Sequence, residues 1–155
     1  DLICVGKLNA KYFAEGVEEY QKRLAAFAAF RIIELPEEKI EEKNASDAVV
    51  KKALDKEGKA ILSNVRKGAA IVAMCIEGKQ ISSDELAQFL AQRAGSGDVA
   101  FVIGSSHGLS DEVKKAAALK FSMGRITMPH QLARLVLTEQ IYRACTINAG
   151  MKYHK

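Results

Sequence analysis

The chain has 155 residues, 48% hydrophobic and 27% charged, which is the make-up of a soluble globular protein of one domain, residues 1–155. No apolar run approaches the roughly 20 residues of a membrane span, and the N-terminus shows no basic-then-apolar leader pattern, so no membrane association or secretion is expected. Net charge is only +4, but it is unevenly placed: residues 1–97 hold 15 basic and 15 acidic side chains, whereas residues 98–155 hold 8 and 4.

Asp1 stands where an initiator Met is usual, which suggests that a residue or two has been lost. Leu2–Val5 is a short apolar strand. Phe13, Val17, Tyr20, Leu24 and Phe27 then recur at steps of four and three, the stripe of an amphipathic helix beginning after Asn9. Arg31–Leu35 reads as a second strand ended by Pro36, and the charged stretch Glu37 to Asn44 as a mobile loop. Ser46 opens a helix through Val50, Leu54 and Ile61. Ala69–Ile76 is a continuous apolar run, the pattern of a central parallel strand covered on both faces, and Glu77-Gly78 is expected to turn the chain.

Ser82 and Glu85 have capping-box spacing ahead of a helix whose stripe is Leu86, Phe89 and Leu90. Gly95-Ser-Gly97 is a turn and Val99–Ile103 another buried strand. Ser110 can cap a helix containing Val113 and Ala116 to Ala118. Ile126 and Met128 are assigned to a last strand, and Pro129 to the first position of a helix running to about Ile147. Strand-helix alternation throughout gives an α/β fold, a mostly parallel sheet with helices on both faces.

Chemistry is concentrated in the last third. Phe101-Val-Ile-Gly104 is a strand that runs into the small-residue loop Ser105-Ser-His-Gly108, the usual ligand position in an α/β protein. Taken literally, Gly104-x-Ser106-x-Gly108 matches the nucleophile elbow of α/β-hydrolases, with His130 and His154 downstream as triad candidates, but the triad order also needs an acid and Glu139 sits on a helix with no sign of that role. The other reading is a tight loop whose glycines let backbone amides approach a ligand. Three scattered histidines make a zinc site improbable, and no metal is expected. Cys4, Cys75 and Cys145 sit in apolar runs in odd number, as buried free thiols of a reducing cytoplasm would.

After Glu112 the only acid is Glu139, against Lys114, Lys115, Lys120, Arg125, Arg134, Arg143, Lys152 and Lys155. A solvated helix face and a phosphate-facing surface both account for this excess. Leu132, Leu135, Val136, Leu137, Ile141 and Cys145 spread apolar groups around more than one face of the final helix, as a two-fold dimer contact or a helix buried within one subunit would.

Taken together, Phe101–Gly104, Gly108-Leu-Ser110, Ile126-Thr-Met-Pro-His-Gln131, Glu139-Gln-Ile-Tyr-Arg-Ala144 and Tyr153-His154-Lys155 resemble the ribosomal RNA large subunit methyltransferase H family, of the SPOUT class. Val5-Gly6-Lys7, Asp55-Lys-Glu-Gly58 and Gly78–Ser83 extend the resemblance over nearly the whole chain. It departs from the family pattern at Ser105-Ser106-His107, Cys75 and Gly124, and Met74 replaces a typical Leu at conserved volume.

The resemblance implies a C-terminal trefoil knot, a rare exception to unknotted connections. It implies S-adenosylmethionine as methyl donor, a cytoplasmic homodimer in which each pocket lies near the partner, and the ribosome with its 23S rRNA as partner. The reaction implied is methylation of N3 of a pseudouridine on the assembled ribosome. By position, cofactor contacts come from Met74, Gly104, Met123, Gly124, Arg125, Ile126, Thr127 and Met128. His154 is the candidate base, Tyr153 the uracil partner, and Arg143 an anion contact along with Lys155. A ribosome-associated binding protein without activity and a serine hydrolase using Ser106 are the alternatives.

Overall fold

A computed structural model describes residues 1–41, 43 and 45–155; Glu42 and Asn44 of the expected charged loop lie outside the described residues. Five strands, β1 (Leu2–Val5), β2 (Ile32–Leu35), β3 (Ala70–Gln80), β4 (Val99–Ile103) and β5 (Leu119–Ser122), form one sheet in the order β2-β1-β4-β3-β5. Every pairing is parallel. Five helices alternate with them: α1 (Lys11–Leu24), α2 (Asp47–Asn64), α3 (Ser83–Arg93), α4 (Asp111–Ala116) and α5 (His130–Asn148).

The alternation of side chains along each strand separates two cores. Leu2 and Cys4 of β1, Val72 of β3 and Phe101 and Ile103 of β4 pack with Leu24 of α1, Leu86 of α3 and Leu137 and Ile141 of α5. Their neighbours Ile3, Val5, Ile71, Ala73 and Val102 pack on the opposite face with Ile61 of α2 and Val113 of α4. Each fully buried Leu or Ile contributes roughly 1.5–3 kcal/mol, and both faces must be covered because an all-parallel sheet has no solvated side.

Serine caps set the helix starts. Ser46, Ser82 and Ser110 each accept a backbone N–H from the third residue on, and Ser82 with Glu85 completes the capping box. The start of α1 is served differently: Gln131 Oε1 of α5 accepts the N–H groups of Asn9 and Ala10 at 3.0 and 3.2 Å.

The structure departs from the sequence expectations at four points. Glu77-Gly78 does not turn the chain: β3 continues to Gln80 with an irregularity between Met74 and Lys79. Gly78 is there because β5 crowds it; a Cβ would lie 2.7 Å from the carbonyl carbon of Phe121. Ile126 and Met128 are not in a strand, since β5 ends at Ser122. There Ser122 Oγ accepts the Gly124 N–H and donates to the Gly124 carbonyl, and Gly124 takes φ 123°. The helix α4 stops at Ala116, short of Ala118, and Pro129 is the residue before α5 rather than its first.

One side of the final helix is buried within its own chain, while Leu132, Val136 and Cys145 are only half-buried. It lies against α1 and α3, with Leu137 and Ile141 in the core and Leu135 so close to Gly16 that a Cβ there would sit 2.9 Å from it. Arg134, counted above among the cationic excess, is wholly buried: it pairs with Glu34 of β2 and donates to the Gly6 carbonyl at 2.8 Å. That contact fixes α5 to the carboxyl ends of β1 and β2. Because β5 is an edge strand and α5 begins beside β1, residues 123–129 must cross over the carboxyl ends of β3 and β4.

Candidate active site

That crossing creates a cavity of about 720 Å³, within the roughly 300–1,000 Å³ usual for small-molecule sites. Its walls are Met74–Glu77 of β3, the loop 103–109 after β4, residues 121–124 and 126–129, and His130 and Ala133 of α5. Of the expected cofactor residues, Met74, Gly104, Met123, Gly124, Ile126, Thr127 and Met128 line it. Arg125 does not; its side chain is exposed. Ile76 and Ile126 stand at the cavity 75% and 81% exposed.

The loop after β4 is tightly closed. Gly108 takes φ 91° and donates its N–H to the Ser105 carbonyl at 2.9 Å. A Cβ on Gly104 would fall 2.0 Å from the Gly108 oxygen, so Gly104 is needed by the loop itself before any ligand enters. Ser105 is buried and donates its hydroxyl to Glu57 at 2.8 Å. Ser106 is exposed and donates its hydroxyl to Glu37 at 3.1 Å. The Ser106 partner is thus a carboxylate and not an imidazole, which removes the arrangement that a nucleophilic serine requires.

Charge around the cavity is sparse. Lys114 reaches Glu77 at 2.6 Å and holds its carboxyl below the usual range. Cys75 and, away from the cavity, Cys145 are only half-buried, contrary to the expectation of buried thiols, and burial still raises the pKa of both. Cys4 is fully buried and pushed up to about 12. Among the described residues no three His, Cys, Asp or Glu side chains gather as a metal site, and no helix is long and apolar enough to cross a membrane.

Arg143, Tyr153 and His154 form a second cluster outside the cavity walls of their own chain. The chain reverses after α5 at Gly150 (φ 67°), with the Met151 N–H on the Thr146 carbonyl. Arg143 donates twice to Glu139 Oε1, at 3.0 and 2.6 Å, and its guanidinium lies 4.7 Å from the Tyr153 ring centre. Arg143 Nη1 is 3.4 Å from His154 Nδ1, and His154 Nε2 is 3.6 Å from the Asp84 carboxylate. Burial, with hydrogen bonds to Tyr20 and Glu139, raises the Tyr153 phenol. The tail is therefore docked against α5 and stands apart from this cavity. Glu57, Glu37 and Glu139, which hold these groups, were not singled out for such roles by the sequence.

A family model described as "Predicted SPOUT methyltransferase" matches residues 1–154. The chain belongs to the SPOUT methyltransferase family. Its SPOUT relatives include proteins named ribosomal RNA large subunit methyltransferase H from Streptococcus uberis and Ligilactobacillus salivarius. Each is 49% identical over 99% of this chain and 98% of its own length. A solved structure, a probable rRNA-methyltransferase from Porphyromonas gingivalis, shares the fold at TM-score 0.51 and 13% identity. That match covers 94% of this SPOUT chain and 68% of the other.

Proposed function

We propose that this SPOUT chain, acting as one domain, methylates N3 of a pseudouridine in the 23S rRNA of assembled ribosomes in the cytoplasm. The observation that carries the reading is the cavity at the carboxyl ends of β3 and β4, walled by three separate loops, in a chain of this family. The names borne by its relatives direct the choice of rRNA as substrate. Exposed Lys115, Lys120, Arg125, Lys152 and Lys155 are what remains of the cationic excess once Arg134, Arg143 and Lys114 are paired, and they suit a phosphate-rich partner.

The cavity suits S-adenosylmethionine. Its walls are mostly apolar, with glycines at 104, 108 and 124 and with Met74 and Met123 as adaptable surfaces. When bound, that group supplies a methyl already activated on a sulfonium sulfur. The protein's task is to hold the ring nitrogen in line with the methyl carbon, where positioning is worth roughly 7–11 kcal/mol in favourable cases. As the N–C bond forms the S–C bond breaks, and the N3 proton must leave to a base. His154 is the base in this reading, Tyr153 contacts the uracil and Arg143 stabilises the developing anion.

Because those three groups stand apart from the cavity of their own chain, the complete site takes the tail of a second copy in a homodimer. Exposed Ile76 and Ile126 at the cavity give that copy an apolar seat. The knot implied by the resemblance accords with residues 123–129 crossing the sheet edge between β5 and α5. Transfer of labelled methyl from S-adenosylmethionine to unmodified 70S ribosomes tests the function, and an unlabelled 23S rRNA would overturn it.

A further inference from the structure

We infer that Glu57, on a helix that contributes nothing to the cavity walls, is a positioning residue that holds the loop after β4 in the form the ligand meets. The inference rests on the reading of that cavity as the S-adenosylmethionine site. Glu57 lies in α2 and is 5% exposed. A buried carboxylate is costly unless its oxygens are served, and these are served in two directions. Oε2 accepts the Ser105 hydroxyl at 2.8 Å, and Oε1 accepts the Glu38 N–H at 2.9 Å.

The segment held by the second bond carries Glu37, whose Oε1 accepts both the N–H and the hydroxyl of Ser106, at 3.4 and 3.1 Å. Lys56 clasps the Glu38 carboxylate at 2.8 Å. Two consecutive loop residues are thus each tied to a glutamate, and both ties lead back to Glu57. Gly58 packs against the other end of the same loop: a Cβ there would lie 2.2 Å from Ser110 Oγ. The Glu57-Gly58 turn therefore braces both the residue after Gly104 and the residue that caps α4.

Two donors converging on one side chain need two acceptors, which is why a carboxylate stands here. A glutamine can serve both only if the Ser105 hydroxyl reverses and accepts from its amide. A methionine of similar length serves neither. With the loop fixed before the ligand arrives, its ordering is not charged against binding. Loss of the brace should therefore raise KM for the methyl donor more than it lowers kcat.

The test is calorimetric titration of the full chain with S-adenosylhomocysteine, with thermal unfolding in parallel. Glu57→Met should weaken binding about tenfold, equivalent to about 1.4 kcal/mol, while Glu57→Gln stays within about threefold of the native protein. Glu37→Ala, an exposed position that does not threaten folding, should weaken binding about threefold with an unchanged unfolding midpoint; it decides the matter if Glu57→Met does not fold. Native affinity in Glu57→Met and Glu37→Ala, or a Glu57→Gln as weak as Glu57→Met, overturns the inference. A native protein with no affinity for S-adenosylhomocysteine overturns the cavity reading first and this inference with it.

Discussion

The hydroxyl of Tyr153 donates at 3.0 Å to the same Glu139 oxygen that receives both Nε and Nη2 of Arg143. One carboxylate oxygen thus gathers the phenol and guanidinium, while the Tyr153 ring also meets Tyr142 edge-on at 4.9 Å. The terminal residues are built onto α5, in a place separate from the cavity walls.

Removing Tyr153, His154 and Lys155 should therefore cost about 1–2 kcal/mol for one aromatic contact and one hydrogen bond to a charged group. The unfolding midpoint should fall by a few degrees, S-adenosylhomocysteine affinity should stay native, and methylation should be lost. Calorimetry that shows lost ligand binding in the truncated chain would contradict the separation of the two clusters.

If the tail completes the cavity of a second copy, two inactive chains should complement each other. Gly104→Ala, whose Cβ meets the Gly108 oxygen at 2.0 Å, disables the cavity but keeps the tail. The truncated chain keeps the cavity. Co-expressed, they should recover about a quarter of native sites, since half of randomly paired dimers are mixed and each carries one intact site. A mixture as inactive as its parts would rule out a shared site.

The contact of Gly58 with Ser110 makes a stability prediction independent of function. Gly58→Ala must displace Ser110 and its cap on Val113, at a cost of about 1–3 kcal/mol, although Ala is the better helix former. Adding Ser110→Gly should recover part of that loss. Urea unfolding measures both variants, and a Gly58→Ala chain as stable as the native one would show that the helices yield freely.

Elements whose signals are local were legible in the sequence. Ser46, Ser82 and Ser110 cap where their spacing says they should, and β4 matches its expected bounds. What depends on distant chain was not. Gly78 reads as a turn because glycine usually is one, whereas its cause is the backbone of β5 pressed against it. Glu57 sits in a helical pattern like any solvated glutamate; its neighbours Gly58 and Ile61 on the buried side were the available hint. The three segments of the cavity were legible from Gly104 and the run 123–128, but the position of the tail was not, since it depends on how α5 packs against α3.

The thiols provide a probe of the same wall. Cys4, buried and pushed up to about 12, should resist alkylation in the native protein. Cys75 lines the cavity and is raised by burial, so its labelling should be slow near neutral pH, quicken as pH rises, and be suppressed by S-adenosylhomocysteine. Peptide mass mapping reads both. Since unfolded Cys4 ionises near its ordinary ~8.5 and the folded residue only near 12, its share of stability is intact below ~8.5 and is lost as pH rises toward 12. Cys75 labelling that saturating ligand does not slow would place the ligand elsewhere.

Methyl transfer to ribosomal RNA can be measured directly. The native protein should be incubated with 70S ribosomes from cells lacking it and with S-adenosylmethionine labelled in the methyl group, and the 23S rRNA digested and mapped by mass. One methyl should be added at N3 of a single pseudouridine, and none when the tail is removed. Ribosomes that remain unlabelled, although the protein binds S-adenosylhomocysteine, would contradict the proposed function.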